Sequence, residues 1–289
     1  MMAIEKGLLN IAHNKSHYDE KYSHVDISAI INILNNIDAY LDKATKLHIS
    51  WVGMYSNNFK EQIKGKSVLE LGCGDCLNAA IMAALGAKVI ANDISDQSGE
   101  IIKALNLNYN FEHDIIFISN DFTKSNLEES TIDFVIGKAF LHHLTHDHEY
   151  EILKKIAKVL RQHGQARFFE PAINSKILDE LRWAIPVNGR PSKWFHPKAF
   201  KKWKENDPHP ERDNSSAHFK KVGKTFFNTT EIIPLGIFER FYRVLPIKGK
   251  QKEKFRIKAL KGEKLLPRSL RKLGARSQLI IYKNPKNKK

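Results

Sequence analysis

The 289-residue sequence predicts an α/β fold: a mostly parallel, seven-stranded sheet with helices on both faces. Three observations carry that expectation. Residues 68–93 read as strand, glycine turn, helix and strand, the unit from which parallel sheets are built. Five more apolar runs of strand length follow, several of them separated by helical patterns. The 42% apolar content can fill a core of this size, yet no apolar run approaches the ~18 residues of a membrane-spanning helix.

The elements can be justified in order. Residues 1–62 form an expected helical cap, because Ile27, Ile30, Ile31, Ile33, Leu34, Ile37 and Leu41 give an apolar face near the helical period. Glu5, His13 and Asn14 stand where a signal peptide would need an apolar stretch, so no leader is expected. The core, residues 63–171, opens with Val68-Leu69-Glu70-Leu71 running into Gly72-Cys73-Gly74-Asp75-Cys76. Gly72 and Gly74 permit a tight turn and close approach of a ligand to the backbone. Asn78–Leu85 is a small, Ala-rich helix whose free N–H groups face that turn. Lys88–Asn92 is the second strand, and Asp93 ends it where a nucleotide-binding unit places an acid for ribose hydroxyls.

Ile115–Ile118 and Thr131–Gly137 supply strands three and four. Glu149–Leu160 has a helical pattern, and Arg161-Gln162-His163-Gly164 is expected to end it with a C-terminal glycine. Gln165–Phe169, finishing in Glu170-Pro171, is the fifth strand. Residues 172–289 are expected to hold a substrate-side insertion and the last strands. Pro186, Pro191, Pro197, Pro208 and Pro210 make residues 183–214 a region of loops and short helices. The prolines of Asp207-Pro208-His209-Pro210-Glu211 exclude a strand there. Asn228–Leu235 and Ser277–Tyr282 complete the sheet.

The glycine spacing separates two cofactor classes. A dinucleotide fingerprint would want a small residue at position 77, where Leu77 stands. Glu70-x-Gly72-x-Gly74, with Cys76 in place of a third glycine, instead resembles the first motif of the class I S-adenosylmethionine-dependent methyltransferases. Asn120-Asp121 after the third strand resembles that family's adenine-binding acid, and Phe140-Leu141-His142-His143-Leu144 resembles the segment of its ubiquinone/menaquinone-type, or type 11, branch. The similarity covers roughly residues 60–171. It implies a Rossmann-like fold, S-adenosylmethionine as cofactor, and donor contacts from Glu70, Gly72 and Gly74 for the methionine part. It further implies Asp93 and Ile94 for the ribose, Asn120, Asp121 and Phe122 for the adenine, and Lys138 at the end of strand four. His17-Tyr18-Asp19-Glu20-Lys21-Tyr22 resembles the segment that many members fold over the cofactor, which adds Tyr22; a helix-entry cap is the alternative. The order Glu170-Pro171, Pro-rich basic stretch, then Asp-x-His-Pro resembles a subgroup acting on small metabolites and sugars.

A protonated nucleophile would need a base, and His142 and His143 beyond strand four are the first candidates, with Glu170 a further acid at the end of strand five. His142 and His146 could share a helix face, but no third ligand stands nearby in sequence, so no metal is expected. Cys73 and Cys76 have a redox-type spacing, yet their place among the glycines favours small apolar packing. Two cysteines suit a reducing cytoplasm.

Charge is divided sharply: residues 1–170 carry 17 Lys/Arg against 22 Asp/Glu, and residues 171–289 carry 30 against 10. Such a basic segment is either a solvated face or an attractor of phosphates on a metabolite, a lipid headgroup or nucleic acid. Together with the resemblance, this makes the expected acceptor small, sugar-like or lipid-linked and anionic, and a lipid-linked acceptor implies peripheral membrane contact. RNA is the alternative, through Trp183, Trp194 and Trp203 as stacking platforms. A non-enzymatic cofactor-binding or scaffold protein ranks third.

Overall fold

The computed structural model describes residues 15–16, 18–187, 189–207 and 209–286. Glu5, His13, Asn14, His17 and Pro208, used in the sequence reading, lie outside the described residues. After a helical stretch at residues 18–22 come α1 (Ile27–Asn35), α2 (Ile37–Leu47), α3 (Ile49–Met54) and α4 (Phe59–Gln62). Asp26 caps α1 by accepting from Ala29 N, and Ile30, Leu34 and Leu41 turn inward as their spacing requires.

The alternating part then runs β1 (Ser67–Leu71), α5 (Leu77–Ala84), β2 (Lys88–Asp93), α6 (Asp96–Asn108), β3 (Ile116–Ser119), β4 (Ile132–Lys138), α7 (His146–Val159) and β5 (Leu160–Pro171). The remainder is α8 (Lys176–Ala184), α9 (Pro197–Glu205), α10 (Ser216–Phe226), β6 (Phe227–Leu235), α11 (Gly249–Gly262), α12 (Arg268–Gly274) and β7 (Ser277–Pro285).

All seven strands join one sheet in the order β3-β2-β1-β4-β5-β7-β6. β1 to β5 are parallel, with Leu69 beside Ile90 and Glu70 beside Ile136. β7 inserts antiparallel between β5 and β6, pairing Phe168 with Ile280. One apolar layer joins the N-terminal helices and α5 to the sheet, and a second joins α7 and α10 to the opposite face. Both faces are covered, which is why Val68, Leu69 and Leu71 of β1 are all apolar and buried although they point to alternate faces. Arg167 fastens the N-terminal helices to the sheet: fully buried on β5, it donates to Met54 O and Ser56 O at 3.0 Å. Among the described residues, no helix is long and apolar enough to cross a membrane.

One expectation fails locally. Gly164 does not end a helix; α7 stops at Val159 and the chain enters β5 at once. Gly164 sits inside β5 beside the register shift between Ile132 and Phe134, where a Cβ would lie 3.0 Å from both Arg161 O and Asp133 O. A close backbone approach, not a cap, requires this glycine.

Candidate active site

The carboxyl ends of parallel strands leave a crevice where the strand order reverses, here between β1 and β4. A cavity of about 330 Å³ lies there, walled by the segments that follow β1 to β4 and by Tyr18, Lys21 and Tyr22 from the N-terminal segment.

The β1–α5 turn is built by left-handed backbone. Gly72 and Gly74 have φ +66° and +57°, and Cys76 has φ 60°, so the cysteine adopts the conformation a third glycine would have supplied. Gly72 N and Cys73 N both donate to Asn92 O, which ties the turn to the end of β2. Both cysteine side chains are buried, their sulfurs 3.7 Å apart, and burial pushes the Cys73 thiol up, away from a reactive thiolate.

Asp93 ends β2 on the cavity wall. One carboxylate oxygen accepts from Gly74 N at 2.8 Å and the other from Ser95 N at 2.9 Å. Burial pushes its pKa up against those two bonds. Asp121 follows β3 and caps a short turn, accepting from Thr123 N and Thr123 Oγ1 at 2.9 Å, with His148 Nε2 at 3.4 Å. Burial opposes its charge, but His148 and Thr123 outweigh burial and hold the carboxyl down at about 2. Ile94, Asn120, Phe122 and Lys138 also line the cavity. Phe122 is at the same time fully buried in the core. Lys138 places its ammonium 5.2 Å from the centre of the Trp51 ring.

Glu70 is not on the wall but buried behind it. Its Oε1 accepts from Asn78 Nδ2 at 2.6 Å, and Tyr55 in turn donates to Asn78 Oδ1. Glu70 Oε2 finds no partner among the described residues, and burial pushes the carboxyl up to about 8. An unpaired buried oxygen next to a cavity fits a cationic ligand group on the other side of the turn.

The N-terminal segment closes one side. Lys15 bonds Asp96 at 2.7 Å, and Asp19 accepts from Ser95 Oγ at 2.6 Å, anchoring the segment to the start of α6. Tyr22 lies on the glycine turn, so that a Cβ on Gly74 would stand 2.8 Å from its hydroxyl oxygen. Tyr18 stacks on Tyr22, and its hydroxyl is 3.4 Å from His143 Nε2.

The histidine segment divides the predicted roles. Residues 141–143 form a short turn clamped from both sides. Glu170, fully buried, accepts from Phe140 N at 2.9 Å, Leu141 N at 2.7 Å and the His142 ring at 2.7 Å. Arg212 donates to Leu141 O and Leu144 O from the other side and pairs with buried Glu149, which also bonds His218. Glu170 is therefore a positioning residue, not an acid facing the cleft, and His142 is drawn toward it. His143 alone of the pair lines the cavity. Burial, then His142, His209 and Lys21, push its imidazole down to about 2, leaving the ring neutral. His142 and His146 do not share a helix face, because His146 begins α7 and stacks on His218. Sequence reasoning missed Arg212, Glu149 and His218, which stand among other polar residues and carry no local signal of burial, and it gave Tyr18 no role of its own.

Comparison with known proteins agrees with this fold. Residues 68–164 match the family model described as a methyltransferase domain. Over 147 residues, half of this chain, the sequence is 24% identical to the O-antigen chain terminator bifunctional methyltransferase/kinase WbdD of Escherichia coli, and it spans 20% of that relative's length. A SAM-dependent methyltransferase from Archaeoglobus fulgidus has the same fold, with TM-score 0.51 and 18% identity over 80% of this chain and 92% of that one. Geranyl diphosphate methyltransferase in complex with SAM gives TM-score 0.51 and 12% identity over 81% and 85% of the two chains. The Rossmann-like sheet and the glycine turn after β1 frame a methyltransferase domain matched over residues 68–164, as the resemblance of the motifs to class I S-adenosylmethionine-dependent methyltransferases implies.

Proposed function

We propose that this domain transfers a methyl group from S-adenosylmethionine to an anionic acceptor that is a small molecule, a sugar or a lipid-linked glycan. One observation carries the reading: a single cavity holds two carboxylates at the ends of β2 and β3 together with Tyr18, Lys21 and His143. Asp93 would accept from the ribose diol and Asp121 from the adenine amino group, both as charge-assisted bonds. Glu70, behind the turn, would offset the charge of the donor's amine. The donor supplies a methyl already activated on a sulfonium. What remains for this chain is to orient the acceptor, exclude water and accept a proton where the nucleophile carries one. Tyr18 and His143 line the cavity and would take part in the first of these tasks, orienting the acceptor.

Two features support an anionic and lipid-linked acceptor. The excess of basic residues after Pro171 attracts phosphates. Ile177, Leu181 and Ile185, spaced four apart on and just past α8, are exposed, as are Trp194 and Phe195. The relative WbdD, an O-antigen chain terminator by name, points toward a carbohydrate acceptor. RNA is less favoured, since Trp183 and Trp203 pack with Phe200 at 5.4 to 5.9 Å between ring centres and, of the three tryptophans, Trp194 alone is exposed.

The test is labelled S-adenosylmethionine with purified protein and separate small-metabolite, lipid and total RNA fractions. Label in a metabolite or lipid fraction is expected. Label in RNA alone overturns the acceptor reading, and absence of donor binding by calorimetry overturns the enzyme itself.

A further inference from the structure

His142, His143 and His209 come together from segments 66 residues apart in sequence, and one ring nitrogen from each lies within 4.8 Å of the others. Their ring centres are 4.3 to 4.9 Å apart. Apart from their mutual contacts, two of the rings share one arrangement. His142 Nδ1 bonds the buried carboxylate of Glu170 at 2.7 Å, and His209 Nδ1 bonds the carboxylate of Asp207. An ionised carboxylate only accepts, so each Nδ1 carries the proton and each Nε2 presents its lone pair. Carboxylate-backed imidazoles fixed in this tautomer are the usual surroundings of metal-ligating histidines.

We infer that His142, His143 and His209 form a binding site for a divalent first-row transition metal, with Glu170 and Asp207 orienting two of the ligands. Three imidazoles without a thiolate suit Zn²⁺ and its neighbours. Three protein ligands leave a fourth position open, and His143 sets that position beside the cavity. An oxygen of an anionic acceptor is the chemical class that would fill it. The inference does not rest on methyl transfer: the site needs only the three rings and their two carboxylates.

The experiment uses the full chain, stripped with a chelator and titrated with Zn²⁺ against a chromophoric competitor, then with Co²⁺ followed by visible absorption. One equivalent of Zn²⁺ is expected. Co²⁺ should give visible ligand-field bands without a near-ultraviolet thiolate band, which separates this site from Cys73 and Cys76. His209→Ala should weaken Zn²⁺ binding by about 100-fold or more, and Asp207→Asn by about 10- to 100-fold. His146→Ala, at the separate stacked pair with His218, should leave the affinity unchanged. Wild-type protein that binds no stoichiometric Zn²⁺ overturns the site whatever the variants do. So does Zn²⁺ binding indifferent to His209→Ala, or a Co²⁺ spectrum dominated by thiolate.

Discussion

Replacing Glu170 decides whether its carboxylate holds the histidine turn or takes part in the reaction. The side chain is fully buried and accepts from Phe140 N, Leu141 N and one imidazole, all within 2.9 Å, and from His142 N at 3.4 Å. Glu170→Ala strands the two short-bonded N–H groups of Phe140 and Leu141, at about 1–3 kcal/mol each, and frees the His142 ring. Arg212 still grips Leu141 O and Leu144 O, so the turn keeps one clamp and can partly relax. The net expectation is a loss of about 3–5 kcal/mol, typical of removing one member of a buried polar network. Glu170→Gln keeps one carbonyl oxygen for the backbone and loses the charge, which should cost about 1–2 kcal/mol. Urea unfolding with fixed slope reads both values, and steady-state kinetics with the identified acceptor reads function. In the Gln variant, activity should fall by roughly tenfold, mostly as a raised acceptor KM, because His143 shifts on a loosened turn. A Gln variant of wild-type stability whose kcat is down by about a thousandfold would refute positioning and return the carboxylate to the chemistry.

Three further outcomes follow from the same geometry. Asp93→Ala should weaken S-adenosylmethionine binding by about 2–3 kcal/mol in calorimetry while far-ultraviolet circular dichroism stays unchanged, and unaltered affinity removes Asp93 from the ribose. Glu70, with a folded-state pKa near 8 against 4.5 for the free group, loses its proton more readily when unfolded, so stability should fall as pH rises from about 4.5 toward 8. Glu70→Gln should match wild type near pH 5 and exceed it near pH 8 by on the order of a few kcal/mol in urea unfolding without donor; parallel pH curves count against the buried charge. Lys201 and Lys202 are exposed on α9, whereas Lys204 is spent on Asp207 at 2.9 Å. Replacing the first two with Ala should raise the acceptor KM and flatten its salt dependence, and a constant indifferent to salt would make the basic segment a solvated face.

The sequence by itself determined the parts of this protein that are local in the chain. Val68–Leu71, Gly72 and Gly74, and the acids Asp93 and Asp121 announce themselves because strand, turn and strand-end acid fall within short, fixed spacings. Cys76 was legible as a departure from the glycine pattern, but only the backbone, with φ 60°, accounts for it. Glu170 misled for a physical reason. In a strand covered on both faces the residue parity does not tell cleft from core, and the carboxylate turned inward to the N–H groups of residues 140 and 141. Gly164 misled in the same way, since a glycine after an apolar helical run reads as a cap until the neighbouring strand is in place. The meeting of His209 with His142 and His143, the Arg212 clamp and the packing of Trp183 against Trp203 were decided by tertiary structure alone. The first two join segments more than 60 residues apart, and the tryptophans meet across a Pro-rich stretch; one sequence holds no periodicity that spans either gap.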